Sequence, residues 1–190
     1  MSDEYNLNTA EEQRSLDVIP TGTICALQLT IRSGGAGDGW LKTAKNGIAE
    51  GLDCEFIVVD GPFANRKLWQ FLILKGNTPG HAQAGKISRS KLRAILESAR
   101  GIRPDDNSEA AQKARQVSNW GDLNNLRFVA RLGVEPPSNG YAAKNSITEV
   151  FTPERHAWKQ VEQIRDNTSN GTTAASAPAN SIARPEWAKD

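Results

Sequence analysis

"GLDCEFIVVDGPFANRKLWQFLIL", residues 51–74, decides the fold. Leu52, Cys54, Phe56 and Val58 alternate with Asp53, Glu55, Ile57 and Val59, the period of a strand with one buried face. Gly61-Pro62 breaks the run. The alternation then resumes, with Leu68, Leu72 and Leu74 on one side and Lys67, Trp69, Phe71 and Ile73 on the other. A connection this short joins the two strands as an antiparallel hairpin.

Upstream, "VIPTGTICALQLTI" (18–31) is a strand punctuated at its start by Pro20 and Gly22, with Leu27, Leu29 and Ile31 on one face. Downstream, "KISRSKLRAILESARGI" (86–102) changes rhythm. Leu92, Ile95, Leu96 and Ala99 recur at helical spacing, and Gly101 is placed to end the helix. Residues 103–122 are a polar connection with a short helix expected near Ala110–Gln116. "LRFVARLGVE" (126–135) is a fourth strand with Leu126, Phe128, Ala130, Leu132 and Val134 inward, and "KNSITEVF" (144–151) a fifth. Residues 155–165 are expected to add a helical turn or two, with Trp158 and Val161 facing in.

Three strands, a helix and two strands is the chain order of the OB-fold, a mainly-β, five-stranded barrel with its helix between strands three and four. A β-sandwich or an α+β sheet of the same element order is the alternative. The expected organisation is a flexible acidic N-terminus (1–17), an OB-fold-like domain (18–165) and a disordered, small and polar C-terminal tail (166–190) with a short terminal motif.

The net charge of +1 conceals a gradient. The first 19 residues hold five acids against one arginine, whereas residues 20–150 hold 17 basic against 12 acidic residues. A basic middle behind an acidic lead suits a polyanion binder. No apolar run approaches the roughly 20 residues that cross a bilayer, and the N-terminus lacks the basic start and apolar stretch of a signal peptide. The expectation is a cytoplasmic protein with no membrane partner. Cys25 and Cys54 are too few for a disulfide framework or a four-cysteine zinc site and are expected as buried free thiols.

At these residues the chain resembles a phage and prophage family long described as a domain of unknown function and associated with phage replication and recombination genes. The shared pattern is Pro-x-Gly before strand one (Pro20, Gly22), Lys-x-Gly before strand two (Lys45, Gly47), and Asp-Gly-Pro with a following Arg before strand three (Asp60, Gly61, Pro62, Arg66). Each motif is short, and the specificity lies in their order over residues 18–102. The resemblance implies an OB-type single-stranded DNA-binding protein acting in phage replication or recombination, in the bacterial host cytosol.

The glycine-rich "GGAGDGWLKTAKNG" (34–47) is not a phosphate-binding loop. Leu41 precedes Lys42-Thr43 where a P-loop requires Gly, and Gly35-x-Gly37-x-Gly39 misses the dinucleotide spacing. As the first long loop of an OB barrel it offers Trp40 as a flat face for a base and Lys42 and Lys45 as charge, or else a tryptophan folded back on the barrel. Strand three presents Trp69 and Phe71 beside Lys67, the aromatic and cationic mixture that unpaired nucleotides need. Alternatively these rings pack under a neighbour. Asp53 and Glu55 on the adjoining strand would repel phosphate unless lysines neutralise them. Arg127 and Arg131 lie on the outer side of strand four, and the cations of the helix read as a solvated face. Near the C-terminus, Trp187 is a candidate anchor for a replication or recombination protein.

The two histidines, His81 and His156, are expected in separate polar loops, and no nucleophile elbow, HExxH or paired-cysteine motif is present. The expected function is therefore non-enzymatic, without metal or cofactor: sequence-tolerant single-stranded DNA binding through Trp40, Lys42, Lys45, Arg66, Lys67, Trp69, Phe71, Arg127 and Arg131. The alternative is an OB-type adaptor that recruits a recombinase, helicase or nuclease without binding DNA itself. Oligomeric state is left open.

Overall fold

A computed structural model describes residues 17–161, apart from 37, 38, 46 and 139. Most of the acidic N-terminus and the C-terminal tail with Trp187 lie outside the described residues. The elements are β1 (Ile24–Arg32), β2 (Leu41–Thr43), β3 (Ala49–Val58), β4 (Lys67–Gly76), α1 (Pro79–Arg100), α2 (Glu109–Ala114), a 3-10 turn (Trp120–Leu123), β5 (Arg127–Glu135) and β6 (Lys144–Phe151). Residues 156–161 are helical.

The fold is mainly β, a single antiparallel sheet of six strands with the long helix after the fourth. Its path runs β2-β3-β1-β5-β6, with β4 on the other edge of β3. One strand more than expected arises because one edge of β3 is shared. β1 pairs along residues 53–58 of β3, and β2 continues the same edge along 50–52. The glycine-rich segment is the turn between these two pieces. The strand order and the helix position are those of an OB-like fold. No ladder joins β4 to β6, so the sheet curls without closing. Lys91 of α1 spans that seam, its Nζ donating to Gln70 Oε1 of β4 at 3.3 Å and to the Ile147 carbonyl of β6 at 3.0 Å.

The hairpin register places Ile57 opposite Lys67, Glu55 opposite Trp69 and Asp53 opposite Phe71. Its turn is fixed by Val58 N–H donating to the Arg66 carbonyl (2.9 Å) and Asn65 N–H to the Val58 carbonyl (2.8 Å). Leu52, Cys54, Phe56 and Val58 are fully buried, as the alternation requires. Phe56 meets Phe128 edge-on, with centroids 5.9 Å apart. Burial pushes the Cys54 thiol up to about 12, and both cysteines are free and buried, as expected.

The helix begins at Pro79, a turn or two before the apolar spacing becomes visible. Thr78 caps it, accepting from His81 N–H, and Pro79 occupies the first turn. His81 therefore lies in a helical turn and not in a loop. Gly101, at φ 66°, closes the other end. Gly85 lets the helix approach β4, since a Cβ there would stand 2.8 Å from the Leu74 carbonyl oxygen. Between β5 and β6 the register shifts by one residue of β6: Thr148 is the extra residue, and it lies over Gly133, where a Cβ would come within 2.5 Å of its methyl group. Val134, near the end of β5, is half-buried.

Candidate functional site

Paired residues of an antiparallel ladder share a face, so the registers assemble one outer surface. Across β1, β3 and β4 its rows read Arg32–Asp53–Phe71, Thr30–Glu55–Trp69 and Gln28–Ile57–Lys67. β2 adds Lys42 opposite Gly51, and β5 adds Arg127 opposite Gln28. Arg127 Nε donates to Gln28 Oε1 at 3.2 Å, which keeps it on this surface. Trp69 is 49% exposed at the centre, and Phe71 is half-buried beside it.

The carboxylates on this face are paired. Asp53 sits between two cations, Arg32 Nη2 at 2.6 Å and Lys42 Nζ at 2.5 Å. Burial would raise its pKa, but the hydrogen bonds from Lys42 and Arg32 outweigh burial and hold the carboxyl below its ordinary value. Glu55 binds Lys67 Nζ through Oε1 (2.9 Å) and accepts from the Trp69 indole through Oε2 (2.9 Å). The Lys67 hydrogen bond is the main reason its pKa is lowered. Glu50 at the sheet edge pairs with Lys75 at 2.7 Å. Arg32, Lys42, Lys67, Lys75 and Arg127 thus outnumber the acids Asp53, Glu55 and Glu50. The repulsion anticipated from Asp53 and Glu55 is offset by partners from three neighbouring strands.

Lys42, Lys67, Trp69, Phe71 and Arg127 are the predicted residues that the fold brings together. The others lie elsewhere. Trp40 is half-buried and packs against the core and the 3-10 turn, where a Cβ on Gly121 would come within 2.5 Å of its ring. The described residues of the glycine-rich segment are tied by backbone hydrogen bonds. Gly34 and Gly35 N–H both donate to the Gly39 carbonyl at 3.0 Å, and Ala36 bridges to Leu41. A side chain at Gly34 would collide with the Leu41 carbonyl, 2.2 Å from the Cβ position. Lys45 is exposed in the β2–β3 turn. Arg66 reaches back to the Asp17 carbonyl at 2.5 Å. Arg131, beyond the buried Ala26–Val129 row, pairs with Glu149 at 2.7 Å and lies over the Phe151 ring at 5.1 Å.

Arg32 and Lys75 belong to the surface and were missed, although each closes a strand at an outward position of the alternation. Tyr141, 74% exposed, stands on the β5–β6 connection, where it is bridged to Ser138. Among the described residues no group of His, Cys, Asp and Glu is arranged to hold a metal ion, and no helix is long and apolar enough to cross a membrane.

No family model and no curated protein matches the chain. Among solved structures, it is similar to a chain described as "Yeast RPA bound to ssDNA", at 9% identity over 87% of this chain and 94% of that one, with a TM-score of 0.28. A superposition so loose carries no argument, and the OB-like assignment rests on strand order and helix position.

Proposed function

We propose that the chain is a sequence-tolerant single-stranded DNA-binding protein that uses the outer face of β1–β4 and performs no chemistry on the strand. The observation that carries the reading is Trp69: half-exposed, held by Glu55, flanked by Phe71 and Lys67, with Arg32, Lys42 and Arg127 on the same face. Exposed rings stack on any base, and cations follow the backbone. The phage replication or recombination role, and the cytosolic setting, rest on the motif order at Pro20, Gly22, Lys45, Gly47, Asp60–Pro62 and Arg66 and belong to the same proposal. So does recruitment of a replication or recombination protein through Trp187.

The test is titration of the full chain with oligo-dT at 50 and 200 mM salt. The proposal expects a log K against log salt slope steeper than about −2, since each neutralised phosphate contributes roughly 0.7. Absence of binding at the lower salt would leave the adaptor reading, in which the same rings contact a protein.

A further inference from the structure

Behind the sheet, α1 and the segment after α2 enclose a second concavity of about 160 Å³. Leu92, Leu96, Val117, Trp120 and Leu123 form its floor. Its rim is arginine. Arg93 Nε (2.8 Å) and Arg115 Nε (2.7 Å) converge on Oε1 of the buried Glu97. Arg115 also donates from Nη1 to the Asp106 carbonyl (2.7 Å) and from Nη2 to the Arg103 carbonyl (2.9 Å). Arg93 is exposed beyond its bonds to Glu97 and the Pro104 carbonyl. Arg89 is exposed and has no hydrogen-bond or ion-pair partner among the described residues.

Glu97 is the one acid that forms an ion pair with the rim arginines among the described residues, and Asp106 acts on Arg115 through space. Asp106 caps the Ser108 N–H at 2.9 Å, Asp122 accepts from the N–H groups of Ser118 and Asn119, and Asp105 pairs with Arg103. Glu97 is the sole carboxylate of α1, and it is shared by two arginines. The concavity therefore combines a mainly aliphatic floor with an excess of positive charge.

We propose that this groove docks an acidic amphipathic segment of a partner protein, one that places a bulky apolar side chain on the floor and carboxylates against Arg89 and Arg93. Charge complementarity selects acids, since an arginine rim left partly unpaired is completed by carboxylates in fork geometry. The floor selects protein over nucleic acid. Val117 and Trp120, the partly buried members of the floor, reward apolar burial, whereas a strand needs a continuous cationic track, and here the charge sits on one rim. The proposal goes beyond DNA binding and does not depend on it.

The experiment uses the full chain and a fluorescein-labelled 15-residue peptide bearing Glu on one helical face and Leu and Phe on the other, read by anisotropy. Binding is expected to fall about tenfold for Arg89→Glu, an exposed residue without structural bonds. It should fall similarly when the peptide's Leu and Phe become Ala, and recover for Arg89→Glu when one peptide Glu becomes Lys. Trp69→Ala should leave peptide binding unchanged. Insensitivity to Arg89→Glu, or equal binding of the Ala peptide, overturns the proposal. So does displacement of the peptide by oligo-dT, which assigns the groove to nucleic acid. Binding that emerges only after deletion of residues 1–16 assigns it to the chain's own acidic segment, and Arg89-dependent self-association in sedimentation assigns it to a second copy. Each of these also overturns the proposal.

Discussion

The Trp69 indole donates to Glu55 Oε2 across the β3–β4 ladder at 2.9 Å, while Lys67 binds the other oxygen of the same carboxylate. The ring at the centre of the candidate surface is thereby oriented by a group that also occupies a lysine. A phosphate arriving at Lys67 competes with Glu55.

Glu55→Gln keeps an acceptor for the indole and removes the charge. Oligo-dT affinity is expected to rise a few-fold at low salt, and the salt slope to steepen by about 0.7, one additional phosphate contact. Titrations of both proteins at several salt concentrations check this.

Asp53 links β1, β2 and β3 through Arg32 and Lys42. Its folded pKa lies below the ordinary value of 3.8. The stabilisation is therefore fully present above 3.8 and is lost as pH falls through the lower folded value. Asp53→Asn should melt at lower temperature than the wild type at pH 7, and the gap should narrow below pH 3.8. Thermal melts across pH 2–7 measure it.

Trp40 is tied to Gly121 and the core, so its truncation acts on the fold. Trp40→Ala is expected to cost about 2 kcal/mol in denaturant unfolding, below the full-burial range because the ring is half-exposed. Oligo-dT affinity of the folded variant should stay within about twofold of wild type, in contrast to Trp69.

Much of the fold was legible in the sequence because residues 51–74 have one buried face and a two-residue period, which fixes both strands and the side each residue takes. That reading placed Lys67, Trp69 and Phe71 outward. The register between the strands was not legible, since the turn from Val59 to Arg66 admits more than one pairing; consequently the Glu55–Trp69 bond could not be read. The helix start was hidden because the first two turns of α1 carry small and polar residues, although Thr78-Pro79 is a start signal. Trp40 was ambiguous for a different reason: its neighbour Gly121 is 81 residues away in the chain. Arg131 shares the alternation of Arg127, but Glu149, to which it is bound, lies on another strand.

The most direct test is fluorescence titration of Trp69→Ala against wild type with oligo-dT, with far-UV circular dichroism to confirm the fold. Loss of one stacking platform removes about 1–3 kcal/mol, an affinity drop of about 5- to 150-fold, together with most of the quenching. Unchanged affinity in a folded variant would contradict the account, because the strand would then be lying on some other surface.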